Sequence, residues 1–265
     1  MSNKVVLITG AYCGIGAAVA QAFVREGAKV YGTSRRLDKS DHHAGITMLK
    51  LDVRDEDSVR LAVAEVLRAE GRLDVLVNNA GMGIAGPVAD METDELFNQL
   101  DTNVLGVHRV LRAAVPALME SRGVIVNISS VAGFVPIPFQ SAYSASKYAV
   151  ESLSECLRAE LHPFGVRVVL VEPGDTKTDF TKSRICVNRV SDHYRDRFEA
   201  SVRRMERDEQ NGMPPEAVAR VVLRAAGRKN PPVRITVGFS YKALRWIKRF
   251  LPDRLILFII RKLYA

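Results

Sequence analysis

The sequence has few of the residues that build disulfide frameworks and metal sites. Its 265 residues include three cysteines and five histidines. Cys13, Cys156 and Cys186 lie far apart, without the spacing of metal ligands. The N-terminal residues have no basic segment ahead of their apolar run, unlike a secretory signal. These absences favour a reducing, cytoplasmic location, and neither disulfides nor a metal is expected.

Long hydrophobic runs are also absent. The longest unbroken apolar run near the C-terminus covers residues 255–260, whereas a membrane-spanning helix needs roughly 20 apolar residues. The formal net charge is +8, but residues 241–265 hold seven basic residues and one acidic residue. That segment carries +6 and leaves +2 for the rest, so the body of the protein is not predicted to bind nucleic acid.

What the sequence does contain is an alternation of short apolar runs and longer segments with helical periodicity. This alternation is typical of βαβ units, and strands with few polar positions are expected when helices cover both faces of a parallel sheet. We predict one α/β domain over residues 1–265, a Rossmann-type doubly wound parallel sheet of about seven strands in a three-layer sandwich. The predicted strands are residues 5–9, 29–33, 47–52, 75–78, 124–129, 168–172 and 234–237; the predicted helices are residues 15–26, 57–70, 94–119, 143–162 and 215–226.

Residues 175–212 form a long polar insertion with weak periodicity. A loop of this length in a compact domain is more often a lid or a binding segment than a simple connection. Its charge-rich part, RDRFEASVRRMERDEQ, predicts a helix that is solvated on most faces. Two interpretations stay open: a mobile cover that closes over a substrate, and a fixed surface excursion without gating.

A glycine cluster, TGAYCGIG at residues 9–16, follows the first predicted strand and opens the first predicted helix. In this context Gly10 permits a tight turn, while Gly14 and Gly16 let the backbone approach a pyrophosphate and the helix approach the sheet. The free N–H groups at the helix start attract the anion. The cluster predicts a dinucleotide-binding loop, and the alternative is a glycine-rich turn without a ligand.

The end of the second predicted strand indicates which dinucleotide is bound. A site selective for NAD has Asp or Glu there, whereas this chain has Ser34, Arg35 and Arg36. An arginine fork can hold a 2′-phosphate that a carboxylate would repel. These residues predict NADP rather than NAD, and the alternative is a pair of solvated loop charges.

Tyr143 and Lys147 are four residues apart in a predicted helix, which puts both side chains on one face. A tyrosine has an ordinary pKa of about 10. A lysine one turn away would lower that pKa and make the phenol useful in proton transfer. The alternative is an ordinary half-buried tyrosine beside a surface lysine.

Two further polar residues join this pair. Ser130 ends the predicted strand VIVNISS, and ligands of α/β sheets bind at the carboxyl ends of strands, where a hydroxyl can donate to a carbonyl oxygen. Asn103 lies within a predicted helix although asparagine is a mediocre helix former. We expect a backbone distortion or a water relay at Asn103, and a tolerated polar residue is the alternative.

With these residues the chain resembles a short-chain dehydrogenase/reductase over nearly its whole length. The glycine spacing is that of the family, and NNAG (residues 78–81), NVLG (103–106), VNISS (126–130), YSASK (143–147) and EPGDTKT (172–178) follow in the family's order. The resemblance implies a catalytic tetrad. In it Tyr143 is the acid or base, Ser130 polarises the substrate oxygen, Lys147 holds the ribose and lowers the phenol pKa, and Asn103 supports a proton-relay water.

The resemblance also implies which residues contact the cofactor NADP. Asp52 and Val53 would flank the adenine, and Asn79, Ala80 and Gly81 would line the central stretch. Pro173, Gly174, Thr176 and Thr178 would hold the nicotinamide end, together with Tyr143 and Lys147, and Tyr12, Cys13 and Ile15 would complete the phosphate loop.

One departure concerns Tyr12 and Cys13, since the family often has Ser or Arg in this loop. Cys13 can still donate weakly to a phosphate. Because a helix N-terminus lowers the pKa of a thiol, oxidation of Cys13 is one way to block NADP binding. The alternative is a small residue that simply fits.

The expected reaction is hydride transfer between NADPH and a carbonyl, or its reverse. Apolar residues near the expected pocket are Met82, Ile84, Phe134, Val135, Ile137 and Phe139. The sequences of the motifs are similar to those of the hydroxysteroid and retinol dehydrogenase branch of the family. This resemblance implies a lipophilic alcohol or carbonyl substrate. A reductase of a polar or keto-acyl carbonyl is the alternative, and a non-catalytic NADP-sensing protein of the same fold is a weaker one. The family resemblance further implies a homodimer or homotetramer.

Residues 241–265 lie beyond the last predicted strand. Leu244, Ile247 and Leu251 recur at helical spacing with Trp246 and Phe250 beside them, and Lys242, Arg245, Lys248 and Arg249 occupy much of the remaining surface. Pro252 ends this helix, and residues 255–260 begin a second one that is apolar nearly all round. The apolar surface is covered either by the protein itself or by an anionic membrane surface in peripheral contact.

Overall fold

A twisted sheet forms the middle layer of the protein. The structure is a computed structural model that describes residues 1–37, 41–43 and 45–264. Within these residues the strands are β1 Val5–Ile8, β2 Lys29–Ser34, β3 Asp41–His43, β4 Ile46–Lys50, β5 Val75–Asn78, β6 Ile84–Ala85, β7 Val124–Ile128, β8 Arg167–Pro173, β9 Ile185–Cys186 and β10 Arg234–Val237. Seven of them pair in parallel in the order β10-β8-β7-β5-β1-β2-β4, and β3 adds an antiparallel edge next to β4. β6 and β9 form a separate short pair.

Helices cover both faces of the sheet. They are α1 Gly14–Arg25, α2 Glu56–Glu70, α3 Thr93–Leu100, α4 Gly106–Ser121, α5 Ser141–Leu161, α6 Phe180–Ser183, α7 Arg195–Gln210, α8 Pro215–Gly227, α9 Phe239–Lys248 and α10 Asp253–Tyr264. Successive residues of a strand point to opposite faces. Accordingly, Val5 and Leu7 of β1 belong to the core shared with α2, α4 and α5, whereas Val6 and Ile8 belong to the core shared with α1 and α8.

The predicted doubly wound sheet of seven parallel strands in three layers is confirmed. The seven strands and the helices α1, α2, α5 and α8 agree with the prediction to within two residues at each end. The polar edge strand β3 was not predicted, because it lacks the apolar pattern of the others. The predicted helix over residues 94–119 is divided by a π-helical turn, Asp101–Leu105, between α3 and α4.

The insertion at residues 175–212 contains α6, β9 and α7. As predicted, most of α7 faces solvent, and its buried residues are Phe198, Ser201 and Met205. Phe198 packs edge-on against Phe139, with 5.8 Å between the ring centroids. This contact ties α7 to the segment that follows β7.

The C-terminal segment forms the two predicted helices, α9 and α10, on either side of Pro252. Ile256 and Ile260 of α10 are buried in a cluster with Val131, Phe134 and Val135. The predicted packing of the tail on the protein therefore occurs, on one face of α10. No helix among the described residues is both long enough and apolar enough to cross a bilayer.

The basic side of α9 differs from the prediction, because two of its four cations turn inward. Arg245 pairs with the fully buried carboxylate of Glu172, and its guanidinium lies 4.8 Å from the centre of the Phe134 ring. Lys248 donates to the backbone carbonyl of Phe134. A buried carboxylate needs a paired cation, so Glu172 draws this side of the helix to the body. Trp246 is left 70% exposed on the outer side.

Candidate active site

The glycine loop lies at the point where the sheet reverses its strand order. From β1 the chain runs to β2 and β4 on one side, and it later crosses to β5 on the other. Ligands of open α/β sheets bind in the crevice at such a point. Gly10 and Gly14 have φ of 66° and 57°, a left-handed conformation that favours glycine. A methyl group on Gly16 would lie 2.1 Å from the Gly10 carbonyl oxygen, so only glycine lets α1 approach the loop.

Asn79 fixes this loop from the end of β5. Its Nδ2 donates to the carbonyl oxygens of Thr9 at 3.0 Å and of Gly10 at 2.9 Å. In return the Thr9 hydroxyl accepts from the backbone N–H groups of Asn79 and Ala80, both at 3.0 Å. A methyl group on Gly81 would lie 3.3 Å from the side-chain oxygen of Asn103. The NNAG segment thus links the glycine loop to the candidate catalytic residues.

The start of α1 carries no side-chain cap. Cys13 occupies the N-cap position in an extended conformation and makes no capping hydrogen bond. Tyr12 and Cys13 are exposed, and Ile15 is half-buried. Uncapped N–H groups at a helix start, with the positive end of the helix dipole, suit a phosphate group. The loop therefore fits the pyrophosphate of a dinucleotide.

The three residues that are expected to select a 2′-phosphate lie at the carboxyl end of β2. Ser34 is buried and its hydroxyl accepts from the backbone N–H of Arg36 at 3.2 Å. The side chains of Arg35 and Arg36 are exposed. Both guanidinium groups are therefore accessible to a ligand at the end of this strand.

A further arginine, which the sequence pattern did not single out, lies at the same end of the sheet. Arg54 binds the carboxylate of Asp52 with both ends of its fork, Nε to Oδ1 at 3.1 Å and Nη2 to Oδ2 at 2.8 Å. This hydrogen bonding lowers the pKa of Asp52, and the charge of Arg35 adds to the effect. Val53 is buried, and its carbonyl oxygen accepts from Arg109 at 3.2 Å. The Asp-x-Arg spacing after the strand was the signal available in the sequence.

The predicted nicotinamide end follows β8. Pro173 and Thr176 are buried, and the Thr176 hydroxyl donates to the Gly174 carbonyl oxygen at 2.9 Å. Thr178 lies against the glycine loop, since a methyl group on Gly14 would be 3.3 Å from its Cβ. The two segments that were expected to hold opposite parts of the cofactor are thus neighbours.

Tyr143, Lys147 and Ser130 come together beside this segment. Ser130 follows β7 and hydrogen-bonds Tyr143, while its hydroxyl also accepts from the Ala132 N–H at 3.1 Å. Lys147 lies one turn along α5 with its Nζ 5.6 Å from the centre of the Tyr143 ring. That Nζ donates to the carbonyl oxygen of Ile128 at 2.9 Å. The predicted grouping of the three side chains is present.

Burial controls the two ionisable groups of this site. It raises the pKa of Tyr143 to about 12, although the hydrogen bond from Ser130 opposes the rise. It lowers the pKa of Lys147 to about 8, against the attraction of Glu151. Loss of hydration is thus the largest influence on the pKa of both groups. The expected lowering of the phenol pKa by Lys147 stays a prediction.

Asn103 lies in the π-helical turn between α3 and α4, so the backbone distortion predicted there is present. Its Oδ1 accepts from the Met82 N–H at 2.9 Å, and its Nδ2 donates to the Met82 carbonyl and to the Ser146 hydroxyl, both at 3.0 Å. The residue is buried. Its side chain therefore joins the NNAG segment to helix α5, which carries Tyr143 and Lys147.

Comparison with known proteins identifies the family. The model of the short chain dehydrogenase family matches residues 4–186. The chain belongs to the short-chain dehydrogenase family. It is accordingly an NAD(P)-binding oxidoreductase, as predicted.

Two curated relatives of this short-chain dehydrogenase have names that describe reductases of lipid ketones. It is 40% identical to the 3-ketodihydrosphingosine reductase of Bacteroides thetaiotaomicron over 269 aligned positions, which cover 100% of this chain and 99% of that one. It is 41% identical over 181 positions to the NADPH-dependent 1-acyldihydroxyacetone phosphate reductase of Schizosaccharomyces pombe, covering 67% of this chain and 61% of that one.

Solved structures share the fold of this short-chain dehydrogenase. A short-chain dehydrogenase from Streptomyces avermitilis superposes with a TM-score of 0.83 at 32% identity, covering 94% of each chain. The structure of ElxO with NADP bound superposes with a TM-score of 0.75 at 27% identity, and the match covers 91% of this chain and 99% of the ElxO chain. A short-chain dehydrogenase/reductase from Burkholderia phymatum in complex with NAD superposes with a TM-score of 0.80 at 25% identity, and the match covers 94% of this chain and 93% of that chain. The neighbours thus include both an NADP complex and an NAD complex.

Part of the insertion lies against the candidate catalytic residues of this short-chain dehydrogenase. The ring of Phe180, from α6, lies 5.6 Å from the ring of Tyr143. Arg184 is buried beside it in an ion pair with Glu209 of α7. The Glu209 carboxylate also accepts from the Thr181 hydroxyl at 2.6 Å. The polar composition of the insertion gave no signal for this buried pair.

An apolar cavity of about 600 Å³ lies under the tail helices. Its walls come from the segment after β7, from the end of the insertion and from the tail. They include the apolar residues Val131, Val135, Ile137, Leu244, Leu251, Ile256 and Ile260, and the polar residues Asp175, Asp208, Asn211, Ser240 and Lys248. Val131 directly follows Ser130, and Asp175 of the wall follows Gly174. Of the six apolar residues predicted for the pocket, Val135 and Ile137 line this cavity. Phe134 packs with the tail, Ile84 and Phe139 are buried, and Met82 bonds with Asn103.

Proposed function

We propose that this protein is an NADPH-dependent reductase of long-chain lipid ketones, with Tyr143 as the proton donor. The observation that carries the proposal is an apolar cavity of about 600 Å³ whose wall begins at Val131, next to Ser130. A cavity of this volume lies in the range that buries most of the surface of a drug-sized ligand. The names of the two curated relatives, both lipid-ketone reductases, support the same substrate class.

The residues of the cleft fit a dinucleotide. The uncapped start of α1 and the glycine loop would hold the pyrophosphate, and Arg35 and Arg36 would hold the 2′-phosphate that distinguishes NADP from NAD. Asp52 and Val53 would lie at the adenine, and Pro173 to Thr178 at the nicotinamide. When bound, NADPH supplies the hydride.

The chain's own residues supply orientation and the proton. Ser130 donates a hydrogen bond to the substrate carbonyl oxygen, and Tyr143 gives its phenolic proton to that oxygen as the hydride arrives. A phenol with a pKa of about 12 is protonated at neutral pH, so the free site is prepared for reduction. Lys147 binds the ribose and stabilises the negative charge left on the phenol. Asn103 acts by holding Met82 and Ser146 in place and by supporting the proton relay.

A substrate screen tests the proposal. NADPH oxidation is followed with a long-chain ketone, a steroid ketone, retinal, a keto-acyl thioester and a sugar aldehyde. We expect the highest kcat/KM with the long-chain ketone, because apolar side chains form most of the cavity wall. A preference for the keto-acyl thioester or the sugar would support the polar-substrate alternative. Cofactor binding without turnover of any carbonyl would favour the NADP-sensing alternative.

The insertion at residues 175–212 is proposed to be a cover over the bound substrate. Phe180 already lies on Tyr143, so a ligand needs this segment to open and close. Limited proteolysis with and without NADPH and a ketone tests this role. Proteolytic cleavage within residues 175–212 should slow when NADPH and the ketone are both present. An unchanged cleavage rate would mean that the insertion is a fixed surface segment without gating.

The outer face of the tail is proposed to contact an anionic membrane surface. Exposed apolar side chains of the tail that do not line the cavity are Trp246, Ile247, Phe250, Leu255, Leu257 and Phe258. Exposed cations beside them are Lys242, Arg249, Arg254, Arg261 and Lys262. Aromatic and aliphatic groups flanked by cations suit the boundary of an anionic bilayer, where each cation contributes about 1 kcal/mol. A lipid substrate would then enter from that surface.

Vesicle co-sedimentation tests the membrane contact. The double variant Trp246→Ser/Phe250→Ser removes two outward aromatic groups without opening the inner face of the tail, unlike truncation after Ser240. Leu96→Ser/Phe97→Ser, at exposed positions on α3, is the matched control. Binding of the unmodified protein to vesicles that contain phosphatidylglycerol should weaken as the salt concentration rises. Of the two double variants, only the tail variant should bind more weakly than the unmodified protein. Equal sedimentation of the unmodified protein and both variants would show that these two aromatic side chains of the tail do not contact the membrane.

A further inference from the structure

Arg184 is a buried arginine with two hydrogen-bond donors unused. Its side chain is 3% exposed, and its Nη2 pairs with the carboxylate of Glu209. Its Nε and Nη1 have no acceptor among the residues that the structure describes. Buried donors are nearly always satisfied, and an unpaired one costs free energy. These two N–H groups therefore indicate a ligand atom that occupies the site during the catalytic cycle.

The surrounding elements place Arg184 at the reacting centre. It follows α6, whose Phe180 ring lies against Tyr143, and it precedes Ile185, whose N–H donates to the Gly83 carbonyl at 3.0 Å. Its charge is close enough to lower the pKa of Tyr143 and to oppose the rise in the pKa of Asp175. Arg184 is thus within electrostatic reach of the Tyr143 phenol and of Asp175, which lines the apolar cavity.

The charges around Arg184 indicate what kind of atom fits. Glu209 already balances the guanidinium, and Asp175 and Asp208 add acidic groups in the same region. A phosphate would bring further negative charge to this acidic environment and would be disfavoured. A neutral oxygen can accept from Nε or Nη1 without that repulsion.

We propose that Arg184 binds a hydroxyl oxygen carried close to the reacting carbonyl, so that the preferred substrate is a long-chain hydroxyketone rather than a plain ketone or a phosphate ester. The proposal rests on the proposed function, because it assigns part of the same substrate. It makes Arg184 a specificity-determining residue that contacts substrate outside the catalytic tetrad.

Three matched ketones test this assignment: a long-chain hydroxymethyl ketone, its phosphate ester, and the methyl ketone of equal length without the hydroxyl. The unmodified protein should show the highest kcat/KM for the hydroxymethyl ketone. Arg184→Lys keeps the cation for Glu209 but removes the planar fork. The ratio of kcat/KM for the hydroxymethyl ketone to that for the methyl ketone should fall by about 10- to 100-fold in this variant, the loss expected for a hydrogen bond to a charged donor.

The control is Arg203→Lys, an exposed arginine on α7 that pairs with Glu199, and it should leave the ratio unchanged. A wild-type protein that prefers the phosphate ester or shows no preference for the hydroxyl would overturn the proposal without any variant. The proposal is also overturned if Arg184→Lys changes the KM for NADPH but not the ratio of kcat/KM between the two ketones. In that case the N–H groups of Arg184 bind the cofactor and not the substrate. If none of the three ketones is reduced, the proposed function itself fails and this inference with it; reduction with an unchanged ratio refutes the inference alone.

Discussion

Tyr143 and Lys147 illustrate how burial sets the chemistry of single residues. The tyrosine is made less acidic and the lysine less basic, because both lose hydration in the same cleft. The spacing of the pair is readable in the sequence. The sign of the pKa change in Tyr143 is not readable in the sequence, since it depends on how deeply the folded chain buries the phenol.

The pH profile of reduction should report Lys147. Its pKa of about 8 means that the side chain is charged below that pH and neutral above it, while Tyr143 stays protonated throughout. The kcat/KM for NADPH reflects the free enzyme. We expect it to fall above the pKa of Lys147, by about tenfold per pH unit, because the ribose loses its cation. A flat profile up to pH values near the ordinary pKa of lysine would contradict this role.

The choice of cofactor should depend on Arg35. Replacing Arg35 with Asp puts a carboxylate where the 2′-phosphate would bind and should lower the ratio of kcat/KM for NADPH to that for NADH by about 10- to 100-fold. Arg224→Asp, on the exposed side of α8, is the matched control and should leave the ratio unchanged. An unaltered ratio in Arg35→Asp would remove Arg35 from the cofactor site.

At the scale of elements, the π-helical turn at Asp101–Leu105 connects the segment after β5 to helix α5. Asn103→Ala removes three hydrogen bonds and leaves the Met82 backbone and the Ser146 hydroxyl without this partner. The free energy of unfolding should fall by about 2 to 3 kcal/mol. Asn98→Ala, at an exposed position of α3, should change it by less than about 0.5 kcal/mol. Denaturant unfolding of both variants measures the difference, and equal stabilities would mean that the turn does not need Asn103.

Element boundaries followed from the sequence where apolar runs and helix periodicity were strong, as in β1, β5 and α5. The break between α3 and α4 was not predicted as a boundary, because a π-turn inserts one residue without ending the periodicity. Only the placement of asparagine at 103 signalled it. The orientation of α9 also escaped prediction, since Arg245 turns inward to a partner, Glu172, that is 73 residues away in the chain.

At the scale of the whole molecule, the fold was predictable because strands that are buried on both faces and helices between them allow few arrangements. The cavity proposed as the substrate site was less predictable, since residues of the insertion and of the tail line it together and meet only after folding. The homodimer or homotetramer implied by the resemblance stays a prediction. Size-exclusion chromatography with light scattering measures it, and a monomer at all concentrations would contradict it.

The most direct test of the proposed chemistry follows the hydride and the proton donor together. NADPH deuterated at the transferred position is incubated with a long-chain ketone and the wild-type protein, Tyr143→Phe, or the control Tyr148→Phe at an exposed position of the same helix. We predict that deuterium appears at the carbinol carbon, that Tyr143→Phe slows its appearance by about 100-fold or more even at saturating NADPH, and that Tyr148→Phe does not slow it. Full-rate transfer by Tyr143→Phe, or an alcohol without deuterium, would contradict Tyr143 as the proton donor or NADPH as the hydride source.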